Sequence, residues 1–182
     1  MKPVTLRTSR LVLDQLTLGD VDLVTEYCQD PLFEKFMLTP WPYARTDAEK
    51  FIGEVVPIWW EDEREFTWAV RHDGEFLGVI SYRTLGHDIG YWLGGPHRGH
   101  GYIPEALAAV ADFVFAQGAS EILWECIPGN RSSREVARKS GFSWDGPGPS
   151  IYLNREGVRD TSWHGSLRPA DSREPKPGWP SD

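Results

Sequence analysis

The spacing of hydrophobic residues predicts four β-strands in the first half of the chain. Residues 4–17 alternate between apolar and polar side chains, which is typical of a half-buried strand. Residues 66–85 contain two further alternating runs, and Asp73-Gly74 between them favours a tight hairpin turn. A short apolar run at residues 87–95 predicts a strand that leads into a glycine-rich stretch.

Two helices are predicted between the first strand and the hairpin. Thr17 with Asp20, and Thr46 with Glu49, each have the spacing of a capping box, in which two side chains satisfy free N–H groups at a helix start. Apolar residues then recur at helical spacing after each pair. Residues 32–45 are rich in proline and aromatic side chains, so they predict an irregular loop between the helices.

In the second half, helices alternate with strands. Residues 104–117 have apolar side chains at helical spacing, residues 121–128 form an apolar run typical of a strand, and residues 130–139 predict a short helix that Gly141 ends. Two final strands are predicted on either side of a turn at residues 154–157.

This order of elements predicts one domain with a mixed sheet. Hairpins give antiparallel strand pairs, whereas the strand–helix–strand unit gives a parallel pair. The fold class is therefore α+β, or α/β with a mixed sheet. The domain is expected to span residues 1–167, and the polar, proline-rich residues 168–182 are expected to form a disordered C-terminal tail.

Composition narrows the kinds of partner. The 182 residues carry a formal net charge of −8, so binding of nucleic acid through its phosphates is not expected. Cys28 and Cys126 match neither a disulfide framework nor a zinc-binding pattern, so no metal site is expected. The sequence also lacks a signal-peptide pattern and a membrane-spanning apolar run, which predicts a soluble cytoplasmic protein without a membrane partner.

The stretch GGPHRGHGY, residues 94–102, is the main candidate for chemistry. It lies directly before a predicted helix, whose N-terminus presents free N–H groups and a partial positive charge. Gly99 and Gly101 have no Cβ, so an anionic group can approach the main chain. The stretch predicts a diphosphate cradle, with Arg98 and the two nearby histidines adding positive charge. A glycine-rich turn without a ligand is the alternative, and neither a P-loop nor a Rossmann fingerprint fits the spacing.

Two motifs resemble those of the GNAT acetyltransferases. The run GYWLGGPHRGHGYIPEALAAVADFVF resembles the family's acetyl-CoA motif, Gln/Arg-x-x-Gly-x-Gly/Ala, and NRSSREVARKSGF resembles its next motif. The segments LRTSRLVLDQL and DIGYWL are similar to the branch of RimJ/RimL-type ribosomal-protein N-terminal acetyltransferases. The resemblance extends from Leu6 to Leu167. One position departs from the pattern, because Pro96 replaces Gln or Arg and has no main-chain N–H.

The resemblance implies a fold and a co-substrate. The implied fold is a twisted, mostly antiparallel mixed sheet of about seven strands with about four helices, in which two strands splay apart at the binding site. The implied co-substrate is acetyl-CoA, with its diphosphate at the glycine-rich loop and its pantetheine arm along the preceding strand. The implied binding residues are Tyr91, Trp92, Leu93, Arg98, Gly99, His100, Gly101, Tyr102, Asn130 and Ser133.

The implied reaction is direct transfer of an acetyl group to a primary amine in a ternary complex. Ser133, three residues after Asn130, is the implied hydrogen-bond donor to the leaving sulfur. Helix capping and an ordinary first-turn position are the alternative roles of this pair. Asp88 and Glu125 are candidate bases for the amine's proton, although an amine that loses its proton to bulk water needs none. Further candidates beside the same strands are His87, His164 and Tyr152.

The identity of the acceptor stays open between a protein or peptide N-terminus and a small-molecule amine. Aromatic side chains near carboxylates suit a cationic amine, so the acceptor side is expected to come from the first two helices and the loop between them. The aromatic candidates are Trp41, Tyr43, Trp59, Trp60 and Trp68, beside Glu61, Asp62 and Glu63, although packing in the core is the better expectation for Trp68. A non-catalytic acyl-CoA-binding module, an enzyme for longer acyl-CoA, a phosphate- or nucleotide-binding protein and a homodimer are also left open.

Overall fold

One β-sheet organises residues 1–180, which are the residues that the computed structural model describes. Within them the sheet has eight strands: β1 (Leu6–Arg7), β2 (Leu11–Asp14), β3 (Glu65–His72), β4 (Glu75–Arg83), β5 (Asp88–Leu93), β6 (Ile122–Cys126), β7 (Ser143–Pro149) and β8 (Thr161–Leu167). Across the sheet they lie in the order β1, β2, β3, β4, β5, β6, β8, β7.

Neighbouring strands pair antiparallel except β5 and β6, which are parallel. The registered pairing of β5 with β6 consists of Asp88 opposite Leu123, after which the strands separate. The predicted mixed sheet with two splayed strands is therefore confirmed. It has eight strands instead of about seven because a turn, in which the Thr8 N–H donates to the Leu11 carbonyl at 3.0 Å, divides the first predicted strand.

The predicted hairpin is also confirmed. His72 pairs with Glu75, so Asp73 and Gly74 form a two-residue turn between β3 and β4. Both turn residues have positive φ, 50° and 83°, which is the conformation that gives a hairpin turn the twist of its strands.

The helices are α1 (Val21–Cys28), α2 (Pro31–Phe36), α3 (Arg45–Lys50), α4 (Val56–Glu61), α5 (Tyr102–Ala116) and α6 (Arg131–Lys139). A π-helical segment, Phe51–Val55, joins α3 to α4, so these pieces form one continuous helical stretch. This wider segment lies directly before Pro57, which has no N–H to continue the α-helical bonding pattern. None of the helices within residues 1–180 is long and apolar enough to cross a membrane.

Helix α2 corrects the expectation of an irregular loop at residues 32–45. Pro31 is the first residue of this helix, a position where its fixed φ and missing N–H are well tolerated. The Asp30 side chain caps the new helix by accepting the Leu32 N–H at 2.9 Å. The sequence signal was therefore an N-terminal Asp-Pro pair, and α2 proves important for the site described below.

One of the two predicted capping boxes is confirmed. The Thr17 N–H donates to the Asp20 carboxylate at 2.8 Å. The predicted Thr46–Glu49 box is wrong, because the helix starts earlier and Asp47 instead accepts the Ala44 N–H at 2.8 Å. Aspartate at this position performs the role that was assigned to glutamate.

Residues 168–180 differ from the expected disordered tail, because they pack against the domain. The Trp179 ring lies 5.6 Å from the Trp124 ring and 5.2 Å from the Trp144 ring, measured between centroids. Burial of one large aromatic side chain offsets part of the cost of ordering a short polar segment. The last two residues of the expected tail, 181 and 182, lie outside the described residues.

Tryptophan side chains form much of the hydrophobic core. Trp60, Trp68 and Trp124 are each at most 1% exposed. Trp60 and Trp68 contact each other edge to face, with ring centroids 5.1 Å apart. These two rings therefore stabilise the fold, which confirms the expectation for Trp68 and corrects the acceptor role considered for Trp60.

Candidate active site

Two cavities meet where β5 and β6 separate. The large cavity, about 470 Å³, is lined by α2, β5, the glycine-rich loop and the start of α6. The small cavity, about 190 Å³, is lined by β5, β6 and the β7–β8 loop (residues 150–160). Five residues line both cavities, so molecules bound in the two spaces can touch there; they are Phe36, Met37, Tyr91, Asn130 and Ser133.

The glycine-rich loop directs the start of α5 toward the large cavity. Gly99 and Gly101 have left-handed φ values of 83° and 75°, and Gly101 is the N-cap of this 15-residue helix. Within the described chain, the N–H groups of residues 99–102 donate to no main-chain acceptor. They lie at the positive end of the helix dipole, so the arrangement suits an anionic group of a ligand.

Contacts from the turn between β1 and β2 hold the glycine-rich loop and the start of α5 in place. Arg10 pairs with Glu105 of α5 at 2.7 Å and also donates to the His100 carbonyl at 3.3 Å. Partial burial acts to raise the pKa of Glu105, but hydrogen bonds from Thr8, Arg10 and Ser9 outweigh it and lower the pKa to about 2. The Glu105 carboxylate therefore stays charged and anchors the first turn of α5.

The predicted binding residues mostly lie on the large cavity, but the three predicted cations differ in position. Arg98 lines the cavity while pairing with Asp30 at 2.8 Å. The His97 ring instead hydrogen-bonds the Tyr27 hydroxyl at 2.9 Å, and the His100 ring stacks on a neighbouring tyrosine. The predicted residues that line the large cavity are Tyr91, Trp92, Leu93, Arg98, Gly99, Gly101, Tyr102, Asn130 and Ser133.

Helix α6 supplies positive charge that the sequence analysis did not assign. Arg131 and Lys139 line the large cavity together with the residues above. Pro96, whose missing N–H departs from the motif, lies in an exposed 3₁₀ turn, Gly95–His97, that precedes the cradle. The described lining of the large cavity does not include Pro96, so its lost donor lies away from the anion site.

Three polar side chains cluster at the junction of the two cavities. The Tyr91 hydroxyl oxygen lies 3.1 Å from Ser133 Oγ and donates to the Ser133 carbonyl at 3.1 Å. The Trp124 Nε1–H reaches both hydroxyl oxygens at 3.0 Å. Burial raises the pKa of the Tyr91 hydroxyl, so this group stays protonated near neutral pH. Sequence reasoning assigned Tyr91 a main-chain role and missed its hydroxyl and the Trp124 indole.

Asn130 combines two of the roles considered for it. Its side chain caps α6 by accepting the Ser133 N–H at 3.2 Å, and it lines both cavities. The cap fixes Ser133 in the first turn of the helix, where its hydroxyl faces the junction.

Glu125 is the predicted carboxylate that reaches the small cavity. It accepts the Ile151 N–H at 2.8 Å and the Ser150 hydroxyl at 3.3 Å, both from the β7–β8 loop. These bonds hold the carboxylate in place while β6 positions it beside Trp124 and Cys126. Burial also raises the pKa of the Cys126 thiol to about 12, so this cysteine is a neutral wall of the cavity.

Asp88 lies elsewhere, fully buried at the start of β5. Its carboxylate pairs with Arg83 at 2.5 Å and accepts the Tyr152 hydroxyl at 2.6 Å. Arg83 and Tyr152 line the small cavity, whereas the described lining does not include Asp88. The structure therefore separates the two predicted carboxylates, with Glu125 in the cavity and Asp88 behind its wall.

Two other predicted candidates lie outside both cavities as far as the described lining residues show. His87 hydrogen-bonds the Tyr82 hydroxyl at 3.1 Å, and His164 lies opposite Glu125 in the β6–β8 pairing. Tyr152 lines the small cavity, but its hydroxyl is engaged by Asp88.

The segment between the first two predicted helices borders the cavities through α2, as expected, but the described linings contain none of the five named aromatic side chains. Tyr43 and Trp60 are buried in the core. Phe36 and Met37 at the end of α2 instead border both cavities. The Asp30-Pro31 pair was the sequence signal that could have located this helix.

Arg155 ties α2 to the β7–β8 loop. Its guanidinium donates to the main-chain carbonyls of Glu34 at 2.8 Å and Met37 at 2.7 Å. It also donates to Phe33 at 3.3 Å and Thr39 at 3.0 Å. These carbonyls belong to α2 from Phe33 onward, its C-cap Met37 and the residues just beyond, where helices leave acceptors unpaired. The contact, named here the Arg155 clasp, joins two walls of the small cavity.

Comparisons with known proteins agree with this geometry. A family model described as an acetyltransferase (GNAT) domain matches residues 10–143. The chain is 27% identical over 150 residues to the uncharacterised N-acetyltransferase p20 of Bacillus licheniformis, covering 78% of this chain and 84% of that protein. It is 32% identical over 80 residues to the ribosomal-protein-serine acetyltransferase of Escherichia coli, covering 41% of this chain and 45% of that protein.

A solved structure shares the fold. Mycobacterium smegmatis RimJ, in complex with CoA-disulfide, superposes with a TM-score of 0.79 at 20% identity. The match covers 92% of this chain and 88% of that one.

Proposed function

The chain belongs to the GNAT acetyltransferase family and is an acetyl-CoA-dependent N-acetyltransferase, and on that premise we propose that it acetylates the α-amino group of a protein or peptide N-terminus. The junction of the two cavities at Ser133 and Tyr91 is the observation that carries the proposal. A donor in the large cavity and an acceptor in the small one would meet at these hydroxyls. The E. coli relative is, by its name, an enzyme that acts on a serine of a ribosomal protein.

The large cavity fits coenzyme A in shape and charge. The free N–H groups of residues 99–102 suit its diphosphate, and Gly99 leaves open space where another residue would carry a Cβ. Arg98, Arg131 and Lys139 add positive charge around the same space. Beyond Asp88 the β6-facing edge of β5 has no registered strand partner in the described chain, so its main chain can pair with an amide-bearing arm.

Ser133 is placed to donate a proton to the leaving sulfur. Acetyl-CoA supplies an activated acetyl carbon and a thiolate leaving group. Since the Trp124 N–H donates to Ser133 Oγ and Tyr91 can donate to the Ser133 carbonyl, the Ser133 hydroxyl proton is free to point into the junction. The Trp124 N–H, which donates to Ser133 Oγ at 3.0 Å, stabilises that oxygen once its proton has left, and the Tyr91 hydroxyl lies beside it. As the amine nitrogen bonds to the carbonyl carbon, the C–S bond breaks and the sulfur takes the Ser133 hydroxyl proton, which solvent water replaces.

Glu125 is the proposed acceptor of the proton that the amine loses. Its carboxylate lies in the small cavity, beside the junction residues, and is oriented by two hydrogen bonds from the β7–β8 loop. Asp88 is assigned a positioning role, because its oxygens are already bonded to Arg83 and Tyr152. Water can carry the proton between the amine and Glu125.

The test is acetyl-CoA consumption over a panel of acceptors, with products identified by mass spectrometry. The panel includes peptides with a free N-terminus, the same peptides with a blocked N-terminus, a polyamine and an aminoglycoside. We expect turnover with free peptides and loss of it with blocked ones. Turnover with the small amines alone would reject the peptide acceptor.

Two controls address the remaining alternatives. Calorimetry with acetyl-CoA, ATP and NAD tests whether binding is selective for coenzyme A; equal affinities would reject the assignment of the large cavity. Tight binding of acetyl-CoA without turnover of any acceptor would instead favour the non-catalytic module. Replacing acetyl-CoA by longer acyl-CoA donors tests the size of the acyl space, and we expect acetyl transfer to be fastest.

A further inference from the structure

Arg83 reaches the small cavity but has no part in the proton transfers described above. Its guanidinium lies directly over Gly90, where an added Cβ would be 2.9 Å from Nη1 and Nη2. On the other side it stacks over the Tyr152 ring, 4.9 Å from the centroid. Arginine is therefore held in a slot between a glycine main chain and an aromatic ring, with its plane fixed.

Asp88 holds one edge of this guanidinium and leaves another available. Arg83 Nε and Nη2 both donate to Asp88 Oδ2, at 2.9 and 2.5 Å. Within the described chain Nη1 has no hydrogen-bond partner. The Asp88 side chain is 0% exposed, whereas the Arg83 side chain is 30% exposed, and Arg83 lines the small cavity. The edge that carries Nη1 is thus the part that can meet a ligand.

The surrounding charges decide what kind of ligand this edge suits. Asp88 lies beside Arg83, and Glu65 is its partner on the neighbouring strand. With two carboxylates next to it, Arg83 does not create a net positive site for a phosphate. It instead presents fixed N–H donors, which suit a single carbonyl or carboxylate oxygen. Glu125 supplies the negative charge in the same cavity.

We propose that Arg83 determines acceptor specificity by donating a hydrogen bond to the carbonyl oxygen attached to the carbon that bears the acceptor amine. The cavity would then recognise an α-aminoacyl group at two points, with the amine toward Glu125 and the carbonyl toward Arg83. This inference rests on the proposed peptide acceptor. It explains why Gly90 stands at the base of the slot, since any side chain there would displace the guanidinium.

The experiment compares two acceptors that differ in one group. One is a short peptide with a free N-terminus, and the other is the matched amine in which a methylene replaces the first carbonyl. For the wild-type enzyme we expect kcat/KM, calculated on the concentration of unprotonated amine, to be about 10-fold higher with the carbonyl, as a hydrogen bond to a charged group gives. A free amino acid in a third arm distinguishes a carboxylate from a peptide carbonyl, and we expect the peptide to be the better substrate.

Two variants remove the proposed hydrogen bond of Arg83, one by replacing its side chain and the other by displacing it. Arg83→Lys keeps the charge beside Asp88 but loses the planar donors, and Gly90→Ala keeps arginine while pushing its flexible end aside. We expect both to reduce the carbonyl preference to near 1, while the KM for acetyl-CoA changes far less. Arg64→Lys, an exposed arginine paired with Asp62, is the matched control and leaves the preference unchanged.

An unchanged preference in both variants, or no preference in the wild-type enzyme, would overturn the inference. Binding of both acceptors to the CoA-loaded protein is measured by calorimetry alongside the kinetics. If no peptide is acetylated but Arg83→Lys still weakens peptide binding selectively, the assignment of Arg83 stands and the proposed function fails. If peptides are acetylated and neither variant changes the carbonyl preference, the proposed function stands and the assignment of Arg83 fails.

Discussion

The two cavities are built in different ways. The anion site of the large cavity comes from one short segment, residues 98–102, followed by the start of α5. The small cavity combines β5, β6, the end of α2 and the β7–β8 loop, which are far apart in the chain. Changes in the first region should therefore act on one ligand, whereas changes in the second should act through the relative placement of several elements.

The largest expected effect belongs to Ser133, one of the five residues that line both cavities. Ser133→Ala removes the hydroxyl at the junction, so we expect kcat to fall roughly 100-fold, the lower end of what a positioned proton donor contributes. The dissociation constant of acetyl-CoA should change little, because the diphosphate site is untouched. Stopped-flow kinetics and calorimetry measure the two quantities.

Ser132→Ala is the matched control, since Ser132 is exposed and lines only the large cavity. An equal loss of kcat in both variants, or an unaffected Ser133→Ala enzyme, would remove Ser133 from the mechanism.

Next in size is an effect confined to the large cavity. Gly101→Ala forces a left-handed conformation on a residue with a Cβ, which costs about 1–2 kcal/mol. If the loop relaxes to avoid this cost, acetyl-CoA binding should weaken about 10-fold. Gly118→Ala places the same strain at the other end of α5, where φ is 95° and no atom lies within 4 Å of the new Cβ. If both variants weaken acetyl-CoA binding to the same extent, the effect does not come from the glycine-rich loop.

A smaller effect is expected from the clasp on the small cavity. Arg155→Ala removes several hydrogen bonds between the β7–β8 loop and α2, so we expect the KM for the acceptor to rise about 5-fold. Arg159→Ala is the control, because among residues 1–180 Arg159 bonds only to the Ser150 and Ile151 carbonyls of its own loop. A larger change in the KM for acetyl-CoA than in that for the acceptor would contradict the division between the cavities.

The next prediction concerns the C-terminal segment, which supports the junction of the two cavities through Trp124. Trp179 packs on Trp124 and donates its N–H to the Phe142 carbonyl at 3.2 Å. Trp179→Ala should lower kcat about 3-fold, because Trp124 donates to the Tyr91 and Ser133 hydroxyls and would lose part of its packing. Both KM values should stay similar. The partial loss of core packing should also lower the free energy of unfolding by roughly 2 kcal/mol. Trp179→Phe should restore most of kcat and most of the free energy of unfolding. If Trp179→Ala loses stability but keeps its kcat, the C-terminal segment has no influence on the active site.

The smallest effect on activity concerns the anchor of the glycine-rich loop. The folded pKa of Glu105, about 2, lies below its ordinary value of 4.5, so its stabilising effect is full above pH 4.5 and is lost as the pH falls toward 2. Glu105→Gln should therefore lower the free energy of unfolding by roughly 1–3 kcal/mol at pH 7 and by progressively less below pH 4.5. Urea unfolding across this range measures the difference.

Glu156→Gln, at an exposed position in the β7–β8 loop, is the control. A difference between Glu105→Gln and the wild type that is the same at pH 7 and at pH 2.5 would show that the carboxylate charge is not the cause.

The same contrast explains how much the sequence could predict. The glycine-rich loop and the helix after it are contiguous, so their anion site was predicted from residue types and spacing, whereas the place of the Asn130–Ser133 pair was implied by the resemblance. The mixed pairing of the sheet followed from the order of the elements, and the opening between β5 and β6 was implied by the resemblance to the acetyltransferase family. In each case the physical cause lies within a few residues of the pattern.

Contacts between distant segments explain what the sequence missed. Asp88 and Glu125 are both acidic residues on adjacent strands, and only their folded neighbours separate a buried ion pair from a cavity carboxylate. Likewise, the hydroxyl of Tyr91 is positioned by Trp124, and Trp179 is partly buried because it packs against the Trp124 and Trp144 rings. No local periodicity encodes such partners.

The Arg155 clasp has a consequence for how the acceptor preference could evolve. Its bonds go to main-chain carbonyls, which every amino acid provides. Phe36, Met37 and Leu38, which border the small cavity, can therefore be exchanged without removing the bonds that hold their helix in position. The architecture lets the surface that meets a substrate diversify while its support is inherited unchanged, which also makes these three positions suitable for a library aimed at new acceptors.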